Sequence, residues 1–403
     1  MRGRVMRSAV VIGAVGLVVI GIAGCTQSSP GDSKSQTNLK IVEQTPIDAN
    51  GKQIKPPDVS AAVSPAGNGK ATCPPLSIAM AGALTGPDAQ LGINIRDGVQ
   101  LAVDKHNVAN PGCQIQLKTF DTEGDPQKAT QVAPRIVDDA SIVALVGPGF
   151  SGETDATGNT FNQAGLVAAT ASATNVTLSQ KGWRTFFRGL GNDASQGEAV
   201  ANYLKNTLNA KKVCVVDDST AYGAGLAEVM RNTLGPVAQA KCNISVKKGD
   251  KDFSAAVTQI KTAAPDAIFY SGYYAEAAPL VQQLRDGGVT ATFVSGDGTK
   301  DPEFVKQAGA ASKDAILSCP CSPAPAAFAD EYTKKFNQPP STYSTEGYDL
   351  GTILVTGIDS GATTRPQLLD YVRAYNGPGV GRQYQWTDKG ELTNTLIWIY
   401  KVQ

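Results

Sequence analysis

The feature that most limits the fold of this chain is an alternation of short apolar runs with amphipathic segments from residue 71 onward. Strands are predicted at 76–80, 115–120, 142–146, 167–169 and 186–187, and helices at 90–107 and 126–138. Leu91, Ile95, Val99 and Val103 recur every four residues and give the first helix one apolar face. Strands separated by helices in this way predict a parallel sheet with helices packed on it.

A second series begins near Asp193. Helices are predicted at 196–208, 222–234, 253–263, 277–286, 328–336 and 347–360, and strands at 213–216, 244–246, 267–270, 292–295 and 396–400. The two series predict an α/β protein of two lobes, each a mainly parallel sheet flanked by helices. Because ligands of such sheets bind beyond the carboxyl ends of the strands, we expect a ligand cleft between the lobes.

The first 25 residues indicate export. Three arginines precede an uncharged apolar run at 9–23, which is short for a membrane span of about 20 apolar residues. The run leads into Ile-Ala-Gly-Cys at 22–25, which resembles a bacterial lipobox. This resemblance implies that residues 1–24 are a lipoprotein signal peptide and that Cys25 carries the lipid anchor. An uncleaved anchor is the alternative, and either one places the remaining chain at the outer face of the cell membrane.

The next segment is polar and has no sustained apolar period. Residues 26–70 are rich in Ser, Gln, Pro, Lys and Gly. Such a composition buries too little apolar surface to compensate for ordering the chain. We therefore predict a flexible tether over residues 25–70.

The six remaining cysteines are Cys73, Cys113, Cys214, Cys242, Cys319 and Cys321. An even number outside the cytoplasm favours disulfides over metal or redox sites. The first two precede neighbouring predicted strands, the next two stand in the same relation, and the last two flank one proline in a loop. We therefore expect these three pairs, although six cysteines allow other connectivities. A redox or metal site is the alternative for the last pair.

Composition excludes several classes of protein. The 36 Lys and Arg balance 36 Asp and Glu, whereas a nucleic-acid binder needs a basic face. His106 is the single histidine, so a catalytic triad or a histidine-rich metal site would have only that residue to use. No G-x-S-x-G nucleophile motif accompanies it. We predict that the protein is not an enzyme and uses no cofactor, metal or nucleic acid.

Gly-Pro-Gly-Phe-Ser-Gly at 147–152 follows an apolar strand directly. A dinucleotide-binding loop has this form, but it follows the first strand of its series and is followed by an acid about 20 residues later. Here the loop follows the third strand, and residues 169–174 read Ala-Thr-Ala-Ser-Ala-Thr. The same small residues leave backbone N–H groups free to face a carboxylate at a helix N-terminus. An ordinary turn is the alternative to this anion site.

Polar side chains follow predicted strands in both lobes. Ser151, Ser172 and Thr174 offer hydroxyl groups in the first lobe. In the second lobe Asp297 lies between two glycines and could receive an ammonium group, while Tyr222 and Tyr273 could pack on or hydrogen-bond a ligand. An aspartate in a turn beside two half-buried tyrosines is the alternative interpretation.

Five short motifs carry a resemblance to a known family. They are GALTGP at 82–87 with Gln90 and Gly92, DTEGDP at 121–126, YGAG at 222–225, KDFS at 251–254 and FYSGY at 269–273. In order and spacing, residues 75–400 resemble the leucine/isoleucine/valine-binding proteins, type I periplasmic-binding-protein receptors of bacterial ABC importers. With this fold, we expect residues 71–192 and 322–387 in the N-terminal lobe and residues 193–321 and 388–403 in the C-terminal lobe.

The resemblance also implies a function and a site. The chain is expected to capture a free amino acid, of the branched-chain type, by lobe closure and to deliver it as a monomer to ABC permease subunits. The implied ligand-binding residues are Ser151, Ser172, Ala173 and Thr174 for the zwitterion, Asp297 for its ammonium group, and Tyr222, Tyr273, Tyr343 and Leu91 around it.

Three positions depart from the family pattern. Asp297 stands where better-known members carry Glu, and Leu91 where an aromatic residue often lines the side-chain pocket. Glu153 replaces a small hydroxyl residue, and it could favour a cationic or polar ligand or point outward. The alternative function is therefore a sensor, or an importer component, for an amide, urea, a polyamine or another small polar ligand.

Overall fold

The computed structural model describes residues 38–56 and 61–403. The expected signal peptide at 1–24 and lipidation site at Cys25 lie outside this part of the chain. The strands are β1 (Ile41–Ile47), β2 (Leu76–Gly82), β3 (Ile115–Asp121), β4 (Ile142–Val146), β5 (Val167–Thr170), β6 (Phe186–Arg188), β7 (Val213–Asp217), β8 (Ile244–Ser245), β9 (Ala267–Ser271), β10 (Thr292–Ser295), β11 (Ile316–Cys319), β12 (Asn376–Pro378), β13 (Gln383–Gln385) and β14 (Ile397–Val402).

The helices alternate with these strands over most of the chain. They are α1 (Ala89–Ala109), α2 (Pro126–Val137), α3 (Ser151–Gln163), α4 (Asp193–Asn206), α5 (Ala221–Leu234), α6 (Ser254–Ala263), α7 (Tyr274–Asp286), α8 (Pro302–Ala308), α9 (Ala326–Phe336), α10 (Ser344–Asp359) and α11 (Arg365–Ala374). The sequence patterns do not predict α8, α11 or the small hairpin β12–β13. No described helix is long and apolar enough to cross a membrane.

The N-terminal lobe is built on a five-stranded parallel sheet in the order β3-β2-β4-β5-β6. β4 consists of apolar residues and is buried at every one of them, which is typical of a parallel strand covered on both faces. Alternate residues of β2 face the helices on opposite sides of the sheet. Ile78 and Met80 share a core with α1 and α10, whereas Ala79 and Ala81 pack with α2 and α3. The two-residue period of a strand thus gives this lobe two core layers.

The C-terminal lobe is built on a seven-stranded sheet in the order β1-β14-β11-β10-β9-β7-β8. The five strands from β7 to β11 are parallel to one another, β14 is antiparallel to β11, and β1 is antiparallel to β14. Both sheets therefore present the carboxyl ends of parallel strands, as the sequence predicts. The chain passes between the two lobes four times: between β1 and β2, after β6, after β11 and before β14.

β1 corrects the prediction of a flexible tether over residues 25–70. The backbone N–H of Lys40 donates to the Gln403 carbonyl at 2.7 Å, and Ile47 is 1% exposed. β1 is an edge strand, so it pairs with one neighbouring strand only. Its sequence, Ile-Val-Glu-Gln-Thr-Pro-Ile, therefore lacks the apolar density that identifies a central strand.

Further parts of the predicted tether are also held against the lobes. The amide nitrogen of Asn202 in α4 donates to the Ala49 carbonyl at 2.7 Å, and that of Asn206 donates to the Asn50 carbonyl at 3.1 Å. In the other lobe the Asn110 side chain donates to the Ala66 carbonyl at 3.0 Å. The described part of residues 25–70 therefore contains segments packed on each lobe.

The three expected disulfides are present, and they are Cys73–Cys113, Cys214–Cys242 and Cys319–Cys321. The first joins the segments that precede β2 and β3, and the second joins β7 to the turn before β8. The third closes a three-residue ring at the end of β11, where the chain leaves the C-terminal lobe. Both cysteines are buried, and their disulfide lies within the segment that leads from one lobe to the other.

Candidate functional site

A pocket lies where the carboxyl ends of the two sheets face each other. Its lining residues are Gly149, Phe150, Ser151, Ser172, Tyr222, Tyr273, Asp297 and Tyr343. The structure thus brings together six of the expected ligand-binding residues. Gly149 and Phe150 also line the pocket and are not among the predicted residues, although the sequence places them directly before Ser151 in the glycine-rich loop.

The N-terminal lobe contributes the loops after β4 and β5. At Gly147 the φ angle is 123°, and a Cβ atom there would lie 2.3 Å from the Ala81 carbonyl oxygen, so the turn requires glycine. Ser151 is the first residue of α3, and its hydroxyl accepts a hydrogen bond from the Asn175 backbone N–H at 3.2 Å. The Ser172 hydroxyl donates to the Gly149 carbonyl at 2.5 Å. These bonds hold two strand-end loops together beside a helix N-terminus, where the first backbone N–H groups have no partner within the helix.

The opposite wall is organised around Asp297, in the turn after β10. The Tyr222 hydroxyl donates to Asp297 Oδ1 at 2.9 Å, and the Tyr343 hydroxyl donates to Oδ2 at 2.6 Å. Asp297 is 1% exposed. Burial raises the pKa of its carboxyl group, and the two tyrosine hydrogen bonds act in the opposite direction. Burial also raises the pKa of Tyr222 and Tyr343, so both remain neutral donors.

Tyr343 reaches Asp297 from the other lobe. It precedes α10, which packs against α1, and its φ angle of 71° lies in the left-handed region. Such a conformation is uncommon for a tyrosine and persists only where the surroundings fix it. The hydrogen bond to Asp297 therefore connects the two lobes.

Aromatic rings close the rest of the pocket. Phe150 and Tyr273 stack across the lobes with their centroids 4.5 Å apart, and Tyr222 lies 5.3 Å from Tyr273. The remaining cavity has a volume of ≈ 10 Å³, which is about the room that one water molecule needs. An amino acid can therefore enter only when the lobes or these rings move apart.

Glu153 supports the pocket from behind. It is fully buried, and its Oε2 accepts from the Phe150 backbone N–H at 2.9 Å. Burial raises the pKa of this carboxyl to about 7. The side chain of Glu153 therefore neither faces outward nor lines the pocket, and both expectations are wrong. Its carboxyl group instead turns back and caps the start of α3.

Three expected site residues do not line the pocket. Leu91 is fully buried in the hydrophobic core with Ile95, because both belong to the apolar face of α1. Ala173 and Thr174 are also fully buried, and the Thr174 carbonyl accepts a hydrogen bond from the Asp193 backbone N–H at 2.9 Å. These residues support the loop that carries Ser172.

Among the described residues, one group has the side-chain types and spacing of a metal site: His106, Cys113 and Asp359. His106 Nε2 and Asp359 Oδ1 are 2.6 Å apart. The Cys113 sulfur is bonded to Cys73, and a thiolate is the form that binds metal. The group therefore offers a metal only two ligands, which is fewer than a structural zinc site requires.

Comparison with known proteins identifies the family. The family model described as "periplasmic binding protein" matches residues 75–403. The chain belongs to this family of periplasmic binding proteins. The match covers both lobes, and members of the family bind solutes for ABC transport and are not enzymes.

Three relatives of this periplasmic binding protein are informative. An amino acid binding protein of Pseudomonas aeruginosa is 30% identical over 80% of this chain and 89% of its own length. A Leu/Ile/Val-binding protein of Rhizobium johnstonii is 30% identical over 81% of this chain and 91% of its own length. A third relative has a solved structure: the branched-chain amino acid transporter substrate-binding protein of Streptococcus pneumoniae in complex with isoleucine. It is 30% identical, the match covers 81% of this chain and 95% of that protein, and the TM-score is 0.75. The fold predicted from the sequence is confirmed by this likeness.

Proposed function

We propose that this chain captures a free amino acid, of the branched-chain type, between its lobes and delivers it to an ABC importer. The observation that carries the proposal is Asp297, a buried carboxylate in the same pocket as the hydroxyls of Ser151 and Ser172 from the other lobe. A zwitterion has an ammonium group and a carboxylate, which such an arrangement complements from two sides. The ligands named for the relatives favour the branched-chain class.

The roles follow from the chemistry of each wall. The ligand carboxylate is expected at Ser151, where the N-terminus of α3 favours negative charge. Its ammonium group is expected at Asp297 in place of a tyrosine hydroxyl, and its aliphatic side chain against the stacked rings of Phe150 and Tyr273. Lobe closure then removes the ligand from water, and the closed form is the one that a permease would recognise.

A further part of the proposal concerns the anchor. Cys25 is proposed to carry diacylglycerol and to hold the protein, as a monomer, at the outer face of the membrane. The apolar run at 9–23 and the lipobox-like sequence at 22–25 support this assignment. Metabolic labelling with palmitate should mark the wild-type chain and not Cys25→Ser, and equal labelling of both would exclude this site.

A thermal-shift panel tests the ligand class. The purified chain is first unfolded with its disulfides intact and refolded to remove bound ligand, and it is then mixed with twenty L-amino acids, urea, short amides and polyamines. A ligand at about 100 times its Kd adds about 2.7 kcal/mol of stability. Shifts with Leu, Ile or Val are expected, and they should vanish in a variant with Ser151→Ala and Asp297→Ala. A shift with urea, amides or polyamines alone would refute the amino-acid assignment.

A further inference from the structure

Lys248 extends from the C-terminal lobe to the N-terminal lobe. It follows β8, and its Nζ lies 3.2 Å from Asp88 Oδ2 and donates to the Gly124 carbonyl at 3.3 Å. Asp88 precedes α1, and Gly124 lies between β3 and α2. The Asp88 side chain is only 1% exposed, whereas that of Lys248 is 29% exposed. A buried carboxyl group of one lobe therefore forms an ion pair with an ammonium group of the other.

The same ammonium group touches the wall of the pocket. It lies 4.9 Å from the ring centroids of both Phe150 and Tyr273, a distance at which a cation is attracted to an aromatic face. The two rings stack on each other across the lobes and line the ligand pocket. Lys248 thus contacts an acid, a carbonyl and an aromatic pair that are arranged together only while the lobes are in contact.

Further carboxylates face the same ammonium group. Lys248 acts electrostatically on Glu153, Asp218 and Glu276 as well as on Asp88. Removing its charge would leave acids of both lobes facing each other with less compensation, which favours separation of the lobes. Contacts such as the Asn94 side-chain amide donating to Asp301 at 3.0 Å also join the lobes, but they pair one charged group with a neutral one.

We propose that Lys248 is a positioning residue that latches the lobes together over the ligand pocket. When the lobes part, Asp88 loses its cation, and leaving a buried charge unpaired is costly. The latch therefore slows opening. Its role in retaining an amino acid rests on the function proposed above, whereas its effect on lobe contact does not.

Ligand kinetics provide the first test. Lys248→Met keeps an unbranched apolar side chain and removes the charge, and Lys247→Met changes an exposed neighbour as a matched control. Since loss of a buried charge partner acts mainly on dissociation, the isoleucine dissociation rate constant should rise about tenfold or more in Lys248→Met. The association rate constant should change much less than the dissociation rate constant. Lys248→Arg, which retains the charge, should restore much of the slow dissociation, and Lys247→Met should match the wild type.

A double-mutant comparison tests the partner. Asp88→Asn should also speed dissociation, and the variant with both Asp88→Asn and Lys248→Met should be no faster than the quicker single variant. If the two increases multiply, the residues act independently and the latch is refuted. Dissociation that stays unchanged in Lys248→Met refutes it as well.

Hydrogen–deuterium exchange of the ligand-free, full-length chain separates the latch from the ligand assignment. Amides near Gly124 and at the start of α7 should exchange faster in Lys248→Met than in the wild type or Lys247→Met, because the lobes part more often. Equal exchange in all three proteins would overturn the latch. If no amino acid binds the wild type, the proposed function fails, and this exchange measurement still decides the latch.

Discussion

Replacing Asp297 by asparagine isolates the charge that is proposed to select an ammonium group. Asp297→Asn preserves the size of a side chain that is 1% exposed and that two tyrosine hydroxyls contact at 2.9 and 2.6 Å. A hydrogen bond to a charged group contributes about 1.5–3 kcal/mol. The Kd for isoleucine should therefore rise about 10- to 150-fold, at about 1.4 kcal/mol for each factor of ten.

The assay compares two ligands by isothermal titration. Isoleucine carries an ammonium group, and its 2-hydroxy analogue has a hydroxyl in that place with the rest of the molecule unchanged. The wild type should prefer isoleucine, and Asp297→Asn should lose most of that preference. Asp314→Asn is the control, because Asp314 is an aspartate paired with Lys401 with a side chain 63% exposed.

Asp297→Asn should change the stability of the protein much less than its affinity for isoleucine. An asparagine avoids the cost of burying a charge and can still hydrogen-bond the tyrosines, so the free energy of unfolding should change by less than about 1 kcal/mol. Equal losses of affinity for both ligands would show that Asp297 shapes the pocket without contacting the ammonium group. An unchanged Kd for isoleucine would refute the assignment outright.

Three other predictions concern the fold. Arg188 is fully buried and pairs with Glu391 at 2.7 Å, so Arg188→Met should lower the free energy of unfolding by about 3–5 kcal/mol in urea denaturation; a loss below about 1 kcal/mol would contradict a buried ion pair. Ile47→Ala should cost about 2–5 kcal/mol in the same assay, whereas Val42→Ala, at a position 40% exposed, should cost about 0.5 kcal/mol or less; small equal effects would indicate a tether. Burial raises the pKa of Asp193 from 3.8 to about 8, so this carboxyl is neutral in the folded protein where the unfolded chain ionises it. Its stabilising contribution is complete below about pH 4 and is lost as the pH rises to about 8. Asp193→Asn should flatten that decline in urea denaturation, and an unchanged slope would contradict the shift.

Sequence patterns predict the buried parts of this fold well. β4 consists of apolar residues alone and follows directly from a local pattern. Parallel strands end at the same edge of their sheet. Polar residues that come directly after strands, such as Ser151 and Asp297, can therefore be assigned to one cleft from their positions in the sequence.

Other features depend on distant contacts that no local pattern reveals. β1 is ordered by β14, and its own residues are too polar to indicate a strand. Leu91 continues the apolar period of α1 and therefore packs in the core. The family resemblance implies that it lines the ligand pocket, and that expectation is wrong. Lys248 contacts Asp88 only because the lobes meet, and an isolated lysine after a short strand has no distinguishing pattern.

The pairing of β1 with β14 also sets an order of assembly. β1 leaves the ribosome among the first residues of the described chain, but its only partner strand in the sheet, β14, is made hundreds of residues later. Until then β1 cannot join the sheet, and contacts so distant in sequence form slowly. A chain that stops before residue 397 would leave β1 unpaired and the edge of β11 uncovered. This sheet can therefore be completed only after β14 has been synthesised, and a chain interrupted earlier would expose strand edges that favour aggregation and proteolysis.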